Sequence, residues 1–322
     1  MGPHDDERYG DPVIDALIAF FADGLRCPPD LSRKAIMKDI RRRSVRIHRV
    51  ARAVTALTAV VAGGALAVAC TASTTTHTGP TPDAPKPTIL LEHGAFADGS
   101  SWNEVIERLT HDRYRVVAAA NPLRGPAADA AALKALLGTI DGPVVLVGHS
   151  YGGSVISAAA AGNPQVAALV YVAAFLPAPG ETALDLTGRY PGSTLPAALG
   201  RIPITGPSGT PGEDLYIRPD AFRDQFAADV DAERAALMAA TQRPIAQSAL
   251  EEPATAAAWT DKPSWDVITT EDRNIPVAAQ RFMAERAHAH VTEVAAASHS
   301  VAVSHPGVVA DVIEQAAQSA HR

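Results

Sequence analysis

The hexapeptide Gly148-His149-Ser150-Tyr151-Gly152-Gly153, set directly after the apolar run 144–147, constrains this chain more than any other feature. A short Val/Leu run ended by a glycine reads as a buried strand, and the small residues of 153–161 read as a helix. A serine held between the two must occupy a strained turn, and only small neighbours such as Gly148 and Gly152 let strand and helix approach. Its hydroxyl then projects alone. The helix start supplies partial positive charge, and the Tyr151 N–H can point at a developing oxyanion. Ser150 is therefore the candidate nucleophile.

Around this point, apolar β-rich runs alternate with helical patterns. Strands are expected over 88–92, 115–119, 144–147, 168–172, 264–269 and 291–294, and helices over 101–109, 127–137, 153–161, 277–287 and 306–320. Such alternation implies an α/β fold: a mostly parallel sheet of about six strands flanked by helices. The interval 177–262 is rich in Pro and Gly at first and helical later. It breaks the rhythm and is expected to be a helical cap inserted after the fourth of those strands, above the sheet's C-terminal edge. Its Leu184, Leu186, Tyr190, Leu195, Leu199, Tyr216, Phe222 and Phe226 either line a substrate pocket or form the cap's own small core.

A serine nucleophile needs a base and an acid, which in this kind of fold follow it in the order acid, then histidine. His299 follows the last expected strand and precedes the terminal helix, where a loop can carry it over the sheet edge. His305 abuts Pro306 and reads as a helix-start residue, while His288 and His290 flank a strand and read as exposed. For the acid, the segment after the penultimate strand offers Asp272, with Glu271 as the competitor and a solvated loop carboxylate as the plain alternative. An acid there fixes the tautomer of His299 and stabilises its protonated form. The second oxyanion donor is expected from the loop after the first strand, at the Ala95 N–H, with Gly94 permitting the turn. His93 reads as a packing or hydrogen-bonding residue. No metal-ligand spacing, phosphate-cradling loop or dinucleotide fingerprint is present, so neither a cofactor nor a metal is expected.

The first 87 residues read differently. Residues 1–52 carry 11 Lys/Arg against 8 Asp/Glu, and the remainder 17 against 27. An acidic main body speaks against nucleic acid as a partner. Arg41, Arg42, Arg43, Arg46, Arg49 and Arg52 precede an uncharged run that is apolar on every face, so 53–70 is expected to be a transmembrane signal-anchor or a signal-peptide helix. The basic segment 1–52 then stays in the cytoplasm, and the domain 88–322 lies outside, anchored to the membrane or released after signal cleavage. Met37 is a candidate alternative start. Ala67-Val68-Ala69-Cys70 is similar to a lipoprotein cleavage box, with Leu66 one place too far upstream. Residues 71–87 form a Thr/Pro-rich tether. Both cysteines, Cys27 and Cys70, precede the domain, which has no thiol for a disulfide. Protein partners are not legible.

Several motifs together resemble one group of α/β-hydrolases, the plant methyl-ester esterases and hydroxynitrile lyases with their bacterial relatives. They are His93-Gly94-Ala95 with Ser101-Trp102, the 148–153 hexapeptide, Tyr171-Val172-Ala173-Ala174-Phe175-Leu176-Pro177, Thr270-Glu271-Asp272 with Ile275-Pro276, and Ser298-His299. The resemblance runs over residues 89–320. It implies that Asp272, rather than Glu271, is the triad acid, and that a pocket for an acyl or alcohol group lies beneath the cap. The hydroxynitrile lyases carry a lysine and a threonine where this chain has Ser300 and Gly94, which speaks against cyanohydrin cleavage. The function expected is hydrolysis of a small-molecule carboxylic ester through an acyl-enzyme. A cofactor-free lyase or C–C bond cleaving enzyme on the same triad is the runner-up, and a binding domain that has kept the scaffold is the third reading.

Overall fold

The computed structural model describes residues 86–206 and 209–320. The basic segment 1–52, the expected membrane segment 53–70 and all but the end of the tether 71–87 lie outside them. Among the described residues no helix is long and apolar enough to cross a membrane.

In chain order the chain forms β1 (Thr88–Glu92), α1 (Asn103–His111), β2 (Val116–Ala119), α2 (Pro126–Leu137), β3 (Val144–His149), α3 (Gly152–Ala160) and β4 (Val166–Val172). An insertion follows, with α4 (Ala183–Gly188), α5 (Leu195–Ala198), β5 (Leu199–Thr205), β6 (Pro211–Ile217), α6 (Pro219–Phe226), α7 (Ala232–Thr241), β7 (Ile245–Ala246) and α8 (Gln247–Glu251). The core resumes with β8 (Ser264–Thr269), α9 (Val277–Arg286), β9 (His290–Val294), α10 (Val301–Ser304) and α11 (Pro306–Ser319). Six strands make one parallel sheet in the order β2-β1-β3-β4-β8-β9.

Every residue of β1 and β3 is buried, as expected of parallel strands covered on both faces, and this is why residues 89–91 and 144–147 are unbroken apolar runs. Alternate side chains divide the core. Ile89, Leu91, Val145 and Val147 pack with Trp102 and Leu109 of the α1 region and Val312 and Ile313 of α11. Leu90, Leu146 and Tyr171 pack on the opposite face with Leu133 of α2, Val155 of α3 and Met283 of α9. All six expected strands and all five expected helices form within two residues of their expected bounds.

The insertion departs from a purely helical cap. β5, β6 and β7 build a separate three-stranded antiparallel sheet, paired from Leu199↔Ile217 to Thr205↔Pro211 and at Asp214↔Ala246. Pro203 is tolerated because β5 is an edge strand, where a missing N–H breaks no inner ladder. That proline, with Gly200, Pro211 and Gly212, also hides the strands from a pattern-based reading. The cap is fastened to the core by Arg124, which donates to both carboxylate oxygens of Asp214 at 2.5 and 3.3 Å. A second fastening is Arg286, which donates to Glu181 at 2.8 and 2.9 Å and to the Leu176 carbonyl at 2.7 Å.

Candidate active site

Ser150 follows β3 directly, in a left-handed conformation (φ 54°) that non-glycine residues rarely adopt. Neighbouring glycines allow this geometry. A Cβ on Gly148 would lie 2.7 Å from the Gly152 carbonyl carbon and oxygen, so only glycine lets β3 and α3 meet there. A Cβ on Gly94 would lie 2.6 Å from Ser150 Cβ and 3.2 Å from its Oγ, which places the loop after β1 against the serine. In that loop Phe96 is also left-handed, with φ 60°. Among the described residues the Ala95 and Tyr151 amides have no protein acceptor. Both residues border the same cavity as Ser150.

The loop between β8 and α9 holds Asp272. Its Oδ1 accepts the Asn274 and Ile275 amides at 2.7 and 2.9 Å, and its Oδ2 accepts Thr269 Oγ1 at 3.1 Å and Gln280 Nε2 at 3.0 Å. His299 lies 2.7 Å away through its Nδ1. Since Nδ1 donates to the carboxylate, Nε2 is the nitrogen left for proton transfer. Glu271 is exposed, and His288 and His290 are exposed as expected. The structure thus brings Asp272 and His299 together on one side and Ser150 with the Gly94-Ala95 loop on the other. Ser150 Oγ and His299 Nε2 are not hydrogen bonded to one another, and His299 Nε2 is buried without a protein partner. Catalytic contacts of this kind are often long before substrate binds.

Several residues around His299 carry no signal in the sequence. His149 Nε2 donates to the His299 carbonyl at 3.0 Å, and the two imidazole centres are 4.8 Å apart. Burial lowers His149 to about 3, so its ring is neutral and adds no charge beside His299. Ser298 Oγ donates to Asp229 and Ser300 Oγ donates to the Phe226 carbonyl at 2.8 Å, so the cap grips both neighbours of His299. These partners are about 70 or more residues apart, which is why no spacing reveals them. His93 behaves as the sequence implies: Nδ1 donates to the Gly94 carbonyl at 2.9 Å and Nε2 accepts the Asn121 amide at 3.1 Å. His305 stands at the N-cap position of α11, without a side-chain bond to the first turn. Behind Tyr151, its hydroxyl donates to Asp129 Oδ2 at 2.7 Å.

The cavity that Ser150 borders measures about 70 Å³ and is otherwise lined mainly by Phe96, Phe175, Leu195, Leu199, Leu250 and Ile275, with no charged side chain. The cap's large apolar residues divide between two roles. Leu184, Leu195 and Leu199 line the cavity, while Leu186, Phe222 and Phe226 belong to the core. Among the described residues no group of three or more His, Cys, Asp or Glu side chains is arranged to hold a metal ion.

A parallel sheet with a serine in a left-handed turn after its central strand, a buried Asp–His pair and an inserted cap defines an α/β-hydrolase. The chain belongs to the alpha/beta hydrolase family, whose model matches residues 89–312. It is similar to the pyrethroid hydrolase of Sphingobium wenxiniae, with 29% identity over 258 residues, which cover 70% of this chain and 85% of that one. It is also 41% identical over 95 residues to lipase LipV of Mycobacterium tuberculosis, a match covering 26% of this chain and 35% of the lipase. The fold matches the crystal structure of polyneuridine aldehyde esterase with a TM-score of 0.64 at 20% identity, over 72% of this chain and 99% of that one.

Proposed function

We propose that this protein is a serine-dependent carboxylic-ester hydrolase acting through an acyl-enzyme. Ser150 attacks the ester carbonyl as His299 Nε2 takes its proton; the Ala95 and Tyr151 amides hold the oxyanion, and Asp272 orients His299 and stabilises its protonated form. His299 then returns the proton to the leaving alcohol, and water releases the acid by the same steps in reverse. The observation that carries this reading is the 2.7 Å Asp272–His299 contact, wholly buried and on loops at the same sheet edge as the strained Ser150. Relatives named as a pyrethroid hydrolase, a lipase and an esterase support ester bonds as the target. The uncharged lining favours an uncharged ester. Residues 53–70 anchor or export the domain, so that it works outside the cytoplasmic membrane.

Labelling by a fluorophosphonate probe, located by peptide mass spectrometry, together with turnover of p-nitrophenyl esters of increasing chain length, tests the reading. Modification at Ser150 with ester turnover supports it. A folded protein that turns over esters equally well as Ser150→Ala contradicts it.

A further inference from the structure

Three polar side chains besides Ser150 border the cavity: Tyr151 and Thr187 donate their hydroxyls to Asp129 and to the Ala183 carbonyl, and the third is an amide. Asn274 lies two residues after Asp272, is almost wholly buried, and borders the same cavity as Ser150. Which end of its amide faces the cavity is settled by its neighbours. The Arg273 carbonyl can only accept, and it lies 2.8 Å from the Gln225 side-chain amide, so that atom is the nitrogen, Nε2. Thr194 Oγ1, at 2.7 Å, then donates to Gln225 Oε1. The same Gln225 Nε2 reaches the Asn274 side chain at 2.7 Å, which must present an acceptor there, Oδ1. Asn274 Nδ2 is the remaining end. It has no protein partner, and it is not among the buried polar atoms left unpaired, so it stays accessible where the residue meets the cavity.

A fixed N–H donor in a mostly apolar cavity is unfavourable to leave unpaired once a ligand displaces water. Resting on the esterase reading, we infer that Asn274 is a specificity-determining residue, and that the preferred substrate is an uncharged ester carrying a second hydrogen-bond acceptor, such as a keto or ether oxygen, near the scissile carbonyl. Gln225 and Thr194 act as positioning residues. They are drawn from the cap, so the orientation of the donor depends on the cap's being seated. A substrate lacking the second oxygen leaves the amide unpaired, and a site of this sort discriminates against it in kcat/KM rather than only in binding.

The experiment compares esters matched in length: ethyl acetoacetate with ethyl butyrate, and ethyl levulinate with ethyl valerate. The quantity read is the ratio of kcat/KM for the oxo ester to that for its plain partner, in wild type, Asn274→Leu and Gln225→Leu. The inference expects the ratio to exceed one in wild type for at least one pair. It expects Asn274→Leu to lower that ratio at least about fivefold, as loss of one hydrogen bond of roughly 1 kcal/mol implies. Gln225→Leu, whose side chain does not border the cavity, lowers it by a smaller factor. A general loss of packing lowers both esters alike and leaves the ratio where it was. Should Asn274→Leu fail to fold, the Gln225→Leu ratio carries the test. Fluorophosphonate labelling of Ser150 with ratios unchanged by these substitutions overturns the inference and leaves the esterase standing. No labelling and no turnover of any ester overturns both.

Discussion

The central sheet and the cap are built on different principles. In β1 and β3 every side chain is buried, whereas of the seven residues each of β5 and β6 only Asp214, Leu215 and Ile217 are buried, and Ile202 is half exposed. The sheet positions Ser150 by close backbone packing that tolerates no added atom at Gly148. The cap positions its share of the site by side-chain hydrogen bonds: Asp229 and the Phe226 carbonyl to the serines beside His299, and Gln225 to Asn274. On the proposed function, chemistry rests mainly on the rigid part and selection among substrates on the part fastened by polar contacts, which are individually weak.

The largest effect expected on the core side is kinetic. Asp272→Asn should lower kcat for any accepted ester by about ten-thousandfold, because the amide favours the wrong tautomer of His299; steady-state kinetics checks this. Gly148→Ala forces β3 and α3 apart and should destabilise by about 3 kcal/mol or more, read from urea unfolding. Leu146→Ala, which empties a wholly buried site in β3, should destabilise by about 2–5 kcal/mol in the same assay.

A pH series sharpens the contrast further. Burial, with Asp129 beside it, pushes the Glu92 carboxyl up to about 8, and burial alone holds Asp266 well above the usual carboxylate range. Glu92 is therefore protonated in the folded protein at neutral pH while the unfolded chain has released that proton, and Asp266 keeps its proton to higher pH folded than unfolded. Their contribution is fully present below the unfolded pKa and is lost as pH rises, through about 8 for Glu92. Urea midpoints should fall between about pH 5 and 9, and Glu92→Gln should flatten much of that fall. The smallest effect belongs to the cap. Leu184, about half exposed (52%), should change stability by less than about 0.5 kcal/mol on substitution by alanine, yet shift the chain-length preference because it borders the cavity.

The same division explains what the sequence disclosed. β1 and β3 were legible because both faces of each are covered, so burial writes the apolar runs 89–91 and 144–147. Ser150 was legible because its turn demands glycines within two residues, and Asp272 and His299 because each follows a recognisable strand. The cap's antiparallel sheet was not, since its strands are mostly exposed and carry prolines and glycines. Asn274, Gln225, Asp229 and His149 had no local signal: their geometry comes from contacts between residues distant in the chain. Asn274 and Gln225 are 49 positions apart, and His149 and His299 are 150.

Whether Ser150 is the nucleophile of an ester hydrolase is decided by labelling the purified chain with a fluorophosphonate probe, followed by peptide mapping. One modified residue, Ser150, is expected, with ester turnover lost in step with labelling. A folded protein that hydrolyses esters while its Ser150 peptide stays unmodified would contradict it.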